Sequence, residues 1–164
     1  MKNATKKIAI IGMAAAAAML LSYVESFFSL GIPGLKVGLP NIFIVCILCL
    51  FGVWEAAAVS AVRCILTALL FGSMMSLWYS LAGAALSLAV MAILKKTDKF
   101  SVIGVSVAGG ITHNAAQILV AIALTGTEQI AYYLPVLILG GTLAGAVVGI
   151  AAAAVYKRVL RVKF

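Results

Sequence analysis

The sequence predicts an all-α polytopic integral membrane protein, a bundle of six membrane-spanning helices. Of its 164 residues, 65% are apolar and only 10% are charged, whereas soluble domains contain about 45–50% apolar residues. The apolar residues form six runs separated by glycine, proline, aromatic or charged residues, and about 20 apolar residues suffice to cross a bilayer as a helix. We therefore expect one membrane domain, residues 1–164, without room for a soluble catalytic domain.

The first three spans end at breaks in the apolar sequence. They cover residues 8–28, 39–53 and 55–72. The first run has no convincing small-residue cleavage site, which favours a retained helix over a secretory signal. Residues 25–41 contain two prolines and several glycines, which exclude a continuous helix and predict a loop folded back over the bundle. Spans two and three are separated only by a tight turn at Gly52, Trp54 and Glu55.

The last three spans are bounded by aromatic and basic residues. They cover residues 75–94, 102–125 and 132–156. Trp78 near the start of span four and Tyr132 at the start of span six suit a membrane–water interface. Span six also carries Gly141, Gly145 and Gly149 at four-residue spacing, which predicts close packing against another helix.

The basic residues predict the orientation of the bundle. Ten of the twelve lysines and arginines lie before span one, between spans four and five, or after span six. Short cytoplasmic segments are enriched in such residues, so both termini are expected in the cytoplasm, with the protein in the plasma membrane. Basic clusters placed between apolar runs orient a membrane protein and do not indicate a nucleic-acid partner.

Span five contains the densest group of polar residues. The group is Thr112, His113, Asn114 and Gln117. Spacings of three and four residues place Asn114 and His113 on the same helical face as Gln117. Polar side chains are costly in lipid, so this face is expected to point toward protein or a cavity. Two interpretations stay open, namely contacts to a bound ligand and hydrogen bonds between helices that hold the bundle together.

Two basic residues lie outside the orienting clusters. Arg63 falls halfway along span three, where an isolated charge costs at least about 2.5 kcal/mol. Arg63 therefore needs a partner. The alternatives are the carboxylate of Glu25 or Glu55 in an ion pair, backbone carbonyl groups, or an anionic ligand. Lys36 lies in the loop before span two, either as a solvated residue or as a contact for an anionic group. Arg63 and Lys36 are therefore candidate substrate-binding residues.

The residues of this chain argue against an enzyme. Its four acidic residues are scattered, so no carboxylate pair is available for metal binding or acid–base chemistry. Cys46 and Cys49 lie in an apolar run, where they act as small apolar residues. The chain contains no phosphate-binding loop of the G-x-x-x-x-G-K-[S/T] type. We expect no catalytic residue, no metal site and no cofactor, and any energy from ATP must come from a partner.

Several motifs resemble those of a known family. S-Y-V-E (22–25), P-G-L-K-V-G-L-P-N (33–41) and H-N-A-A-Q (113–117) resemble the Gx transporter family, which is also labelled heptaprenyl diphosphate synthase component I. With the Ala14-x-x-x-Ala18 pattern of span one, the chain resembles the S components of energy-coupling factor transporters. The resemblance extends over nearly the whole chain.

This resemblance implies an S-component fold that captures a small vitamin-like or anionic molecule from outside for uptake. It also implies docking on a membrane coupling protein, through Ala14 and Ala18, and energy from two cytosolic ATPases. The resemblance implies that Lys36, Asn41, His113, Asn114 and Gln117 lie at the substrate-binding site, and Arg63 is a further candidate because of its position in span three. The alternative is a membrane accessory subunit of a polyprenyl diphosphate synthase, because a chain whose single aspartate is Asp98 cannot bind magnesium diphosphate alone.

Overall fold

A computed structural model describes residues 2–27 and 38–161. These residues form six α-helices and one short 3₁₀ helix, and no strand occurs among them. The elements are α1 (Lys2–Phe27), α2 (Asn41–Leu50), α3 (Val53–Phe71), α4 (Met74–Lys96), α5 (Val102–Thr125), the 3₁₀ helix (Glu128–Tyr133) and α6 (Leu134–Arg161). The predicted all-α fold is confirmed.

Local sequence explains three of the helix ends, namely the starts of α4 and α5 and the end of α5. The hydroxyl of Ser73 accepts a hydrogen bond from the N–H of Ser76 at 3.2 Å and caps α4. Ser101 caps α5 in the same way through the N–H of Gly104 at 3.1 Å. Such caps satisfy N–H groups that have no partner in the first turn. Helix α5 ends at Gly126, whose positive φ of 65° suits glycine.

The helix found in the second predicted span, residues 39–53, is shorter than a complete membrane crossing. Helix α2 has only 10 residues, which corresponds to about 15 Å, half the roughly 30 Å of a bilayer core. Pro40 precedes the helix, and Gly52 follows it with a φ of 123° that other residues rarely adopt. Among the described residues, five helices are long and apolar enough to cross a membrane.

Helix α2 lies in the interior of the bundle. Val45, Ile47 and Leu48 are almost completely buried, and the helix contacts α1, α3, α5 and α6. A helix that is apolar on all sides is stable where it is covered by protein on all sides. The short helix therefore fills the centre of the bundle over about half of its length.

Basic residues tie several helices together at one end of the bundle. Lys7 near the start of α1 forms an ion pair with Glu55 near the start of α3, with 2.5 Å between the charged atoms. Lys95 near the end of α4 donates hydrogen bonds to the backbone carbonyls of Leu48 and Cys49. A cation is favourable at the carbonyl end of a helix. These contacts place the starts of α1 and α3 and the ends of α2 and α4 together, at what we call the basic end.

The glycines of α6 allow its close approach to α5. A Cβ atom at Gly141 would lie 2.7 Å from the carbonyl oxygen of Gly110, and one at Gly145 would lie 2.7 Å from the Cα of Val107. Both distances are shorter than an ordinary van der Waals contact of about 3.5–4.0 Å. The prediction that this stripe is a packing surface is confirmed.

The outer surface of the bundle has the character of a membrane protein. Large apolar residues such as Leu139, Leu143 and Ile150 are exposed on α6. Trp54 is exposed at the basic end, and Trp78 and Tyr132 are exposed toward the other end, as expected for aromatic residues at the two membrane–water interfaces. The chain is a multi-pass membrane protein.

Candidate binding cavity

A cavity lies in the part of the bundle that α2 does not fill. Its volume is about 260 Å³, and it is lined by residues of all six α-helices. Phe71 and Ser76 line it near the end opposite the basic end, whereas Val45 of α2 and Met91 of α4 line its deeper part. Because α2 is half as long as its neighbours, the centre of the bundle is left open on the side where α2 begins.

The cavity brings together residues that are far apart in the sequence. The candidates found at its wall are Asn41, Arg63, His113, Asn114 and Gln117. Lys36 lies outside the described residues. The polar side chains that lipid cannot accommodate therefore share one interior space.

Arg63 does not form an ion pair with Glu25 or Glu55, which was one of the alternatives for this residue. Glu55 pairs with Lys7, and Glu25 accepts a hydrogen bond from the backbone N–H of Gly38 at 2.5 Å. Among the described residues, no carboxylate lies within ion-pair distance of Arg63. The Nη2 of Arg63 donates a hydrogen bond to the Sγ of Cys64, 3.6 Å away.

Glu25 is a cavity residue that the sequence suggested only as a partner for Arg63. The residue is 8% exposed and lines the cavity. Its bond to Gly38 connects the last turns of α1 with the residues that lead into α2. A glutamate within an apolar run, directly before a segment rich in proline and glycine, is the sequence signal for such a contact.

Asn114 connects α5 to α6. It is 7% exposed, and its Nδ2 donates a hydrogen bond to the carbonyl oxygen of Leu137 at 2.7 Å. This contact is of the kind that holds membrane helices together. For Asn114, the structure thus supplies the helix–helix contact that was one of the two open interpretations, although the residue also lines the cavity.

His113 packs against a glycine of α4. A Cβ atom at Gly83 would lie 2.8–3.0 Å from three atoms of the imidazole ring. A larger residue at position 83 would therefore collide with the ring or turn it. Gln117 follows one turn later on the same helix and also lines the cavity.

Hydroxyl groups complete the wall of the cavity. Ser22, Ser76, Ser80 and Ser106 contribute to it from α1, α4 and α5. Ser22 donates a hydrogen bond to the carbonyl of Ala18 at 3.0 Å, which is common for serine within a helix. Among the described residues, the cavity wall therefore combines apolar side chains with hydroxyl groups and with two charged side chains, those of Arg63 and Glu25.

The expected docking residues are interior residues. Ala14 is 8% exposed and Ala18 is completely buried, and Ala14 belongs to the apolar core together with Ile44 and Val148. Their small side chains allow α1 to approach its neighbours within this chain. In this structure, Ala14 and Ala18 therefore face neighbouring helices of the same chain and not the outer surface of the bundle.

Comparison with known proteins decides the family. The family model described as heptaprenyl diphosphate synthase component I matches residues 14–155. The chain belongs to the heptaprenyl diphosphate synthase component I family. The match covers every described residue proposed for the cavity, and it confirms the resemblance inferred from the motifs. Neither a curated protein nor a solved structure matches the chain.

Proposed function

We propose that this member of the heptaprenyl diphosphate synthase component I family is a substrate-binding membrane subunit, the S component of an energy-coupling factor transporter. It captures a small vitamin-like or anionic molecule and is not itself an enzyme. One observation carries the proposal: charged and polar side chains from separate helices converge on a single interior cavity. Such side chains within a membrane protein mark substrate pathways.

The direction of uptake follows from the distribution of charge. The basic end carries Lys7 and Lys95, and basic segments face the cytoplasm. Both termini would then be cytoplasmic, in a prokaryotic plasma membrane. The cavity would face the outside, because it lies on the side where α2 begins, away from the basic end.

The energy for uptake would come from a membrane coupling protein and two cytosolic ATPases, because the chain has no phosphate-binding loop. The exposed face of α1 includes Ala9, Gly12 and Ala16, and small residues allow close approach of another helix in lipid. This face, rather than the buried alanines, suits the coupling protein. Gly12→Leu should block association with the coupling protein and leave the isolated subunit folded.

The test of the proposal is the identity of the molecule held in the cavity. The full chain is purified from its native membrane in mild detergent and denatured, and the released small molecules are analysed by mass spectrometry. We expect one compound in stoichiometric amount. Gln117→Leu should lose it, because Gln117 lines the cavity and its side chain forms no hydrogen bond with the described residues. Leu119→Ala is the matched control, since Leu119 is exposed on the same helix.

Two results would contradict the transport proposal. One is the absence of any retained molecule that depends on Gln117. The other is uptake of the retained compound by cells that is unchanged when this protein is deleted. Cells with the protein but without the coupling protein should bind the compound and fail to accumulate it, which separates capture from transport.

The name of the family supports a second candidate function. The protein would then be a membrane accessory subunit of a polyprenyl diphosphate synthase. In the described residues, no group of three His, Cys, Asp or Glu could hold a metal ion, so a partner would have to supply the magnesium site that diphosphate chemistry needs. Co-purification of a prenyl diphosphate and of a soluble synthase subunit would favour this candidate over transport.

A further inference from the structure

Two buried polar atoms in the cavity wall have no hydrogen-bond partner. They are Nε of Arg63 and Oγ1 of Thr67, and no other buried side-chain nitrogen or oxygen within residues 2–27 and 38–161 is left unsatisfied. Folded proteins pair nearly all such atoms, because an unpaired one is destabilising. Both residues lie on α3 four positions apart, so they are neighbours on the face that lines the cavity.

The hydroxyl of Thr67 differs from those of other threonines in the helices. Thr112 and Thr142 each donate a hydrogen bond of 2.8 Å to the carbonyl four residues earlier in their own helix. This is the usual solution for a threonine within a helix. Thr67 does not make this bond, so its hydroxyl is free to donate to a molecule in the cavity.

The guanidinium group of Arg63 also lacks a strong acceptor. The sulfur of Cys64, 3.6 Å from Nη2, is a weak one. A guanidinium group at this depth in a membrane needs a counter-charge. Its planar set of donors matches two oxygens of a carboxylate or a phosphate.

We infer that Arg63 and Thr67 form a subsite for an oxyanion, a carboxylate or phosphate group of the molecule that fills the cavity. The inference rests on the proposed function, because the oxyanion is part of the transported molecule. Arg63 donates from its guanidinium group, and Thr67 donates from its hydroxyl one turn further along α3. Glu25 on α1 repels an anion, so the oxyanion is confined to the α3 side of the cavity.

Simple anions test this subsite without knowledge of the natural ligand. The purified full chain is titrated with sodium acetate and, separately, with inorganic phosphate at constant ionic strength, and the melting temperature is followed. We expect saturable stabilisation by at least one anion, with a Kd weakened at least about tenfold in Arg63→Gln and about threefold or more in Thr67→Val. A response to acetate alone assigns a carboxylate, and a response to phosphate alone assigns a phosphate.

Two control variants remove the same chemical groups elsewhere. Arg158→Gln removes an exposed charge from α6, and Thr142→Val removes a hydroxyl that bonds within its own helix. Both should bind the anions as the unmodified protein does. If Arg63→Gln does not fold, Thr67→Val decides the question, because it nearly preserves side-chain volume.

The inference and the proposed function fail in different ways. No stabilisation by either anion, or equal stabilisation of Thr67→Val and the unmodified protein, overturns the subsite. A retained compound that depends on Gln117 but contains neither carboxylate nor phosphate also overturns it, while capture of a substrate stands. Anion binding that depends on Arg63 and Thr67, in a protein that supports no uptake, supports the subsite and removes the transport proposal.

Discussion

Replacement of Asn114 by alanine tests the contact between α5 and α6. The side chain is 7% exposed and donates to the carbonyl of Leu137 over 2.7 Å. Such bonds between membrane helices contribute about 0.6 kcal/mol on average and at most about 1.7 kcal/mol. The carbonyl of Leu137 lies in the first turn of α6 and keeps its helical acceptor role after the substitution. We therefore expect the free energy of unfolding to fall by about 1 kcal/mol.

The measurement is an equilibrium unfolding curve of the ligand-free protein in detergent. Thr112→Val is the matched control, because the hydroxyl of Thr112 bonds only to carbonyls of its own helix, those of Ala108 and Gly109 at 2.8 and 3.1 Å. The control should unfold like the unmodified protein. In a parallel titration with the co-purified compound, Asn114→Ala should lose less affinity than Gln117→Leu, because the amide of Asn114 is already engaged.

The opposite pair of results would refute this reasoning. If Asn114→Ala unfolds like the unmodified protein and loses affinity by about 1–3 kcal/mol, the residue binds ligand and its bond to Leu137 contributes nothing to stability. If neither the free energy of unfolding nor the affinity changes, Asn114 neither stabilises the contact between α5 and α6 nor binds ligand.

Three further predictions follow from the packing and the charges. Gly145→Ala should lower the melting temperature, because the added Cβ would lie 2.7 Å from the backbone of α5. This effect should outweigh the higher helix propensity of alanine, which is about 1 kcal/mol. Gly12→Ala should not lower the melting temperature, because the space around Gly12 is open. Ala18→Leu should lower the free energy of unfolding by about 1–3 kcal/mol, because position 18 is completely buried and overpacking is destabilising. A variant as stable as the unmodified protein would contradict this. An impermeant thiol reagent should label Glu128→Cys but not Thr97→Cys in intact cells, and labelling at position 97 would reverse the orientation.

The sequence by itself determined the class of the protein and most of its helix boundaries. Apolar runs and their interruptions are local properties, so the bounds of the predicted span 102–125 coincide with those of α5, Val102–Thr125. The spacing of the α6 glycines predicted close packing for the same reason, because periodicity fixes which side chains share a helical face. The motif resemblance predicted the family that the profile match confirms.

Only the tertiary structure decided whether each helical face contacts another helix, the cavity or the outer surface. The sequence could not show that α2 stops at half the membrane thickness, because Pro40 and Gly52 are compatible with a longer span until their neighbours are placed. It could not show that Ala18 faces inward, because a stripe of small residues suits either an internal contact or a partner. The tilt and order of the helices depend on all the packing contacts of the bundle together. For that reason, the sequence could not show that the hydroxyl of Thr67 lacks a hydrogen-bond partner and lines the same cavity as Arg63.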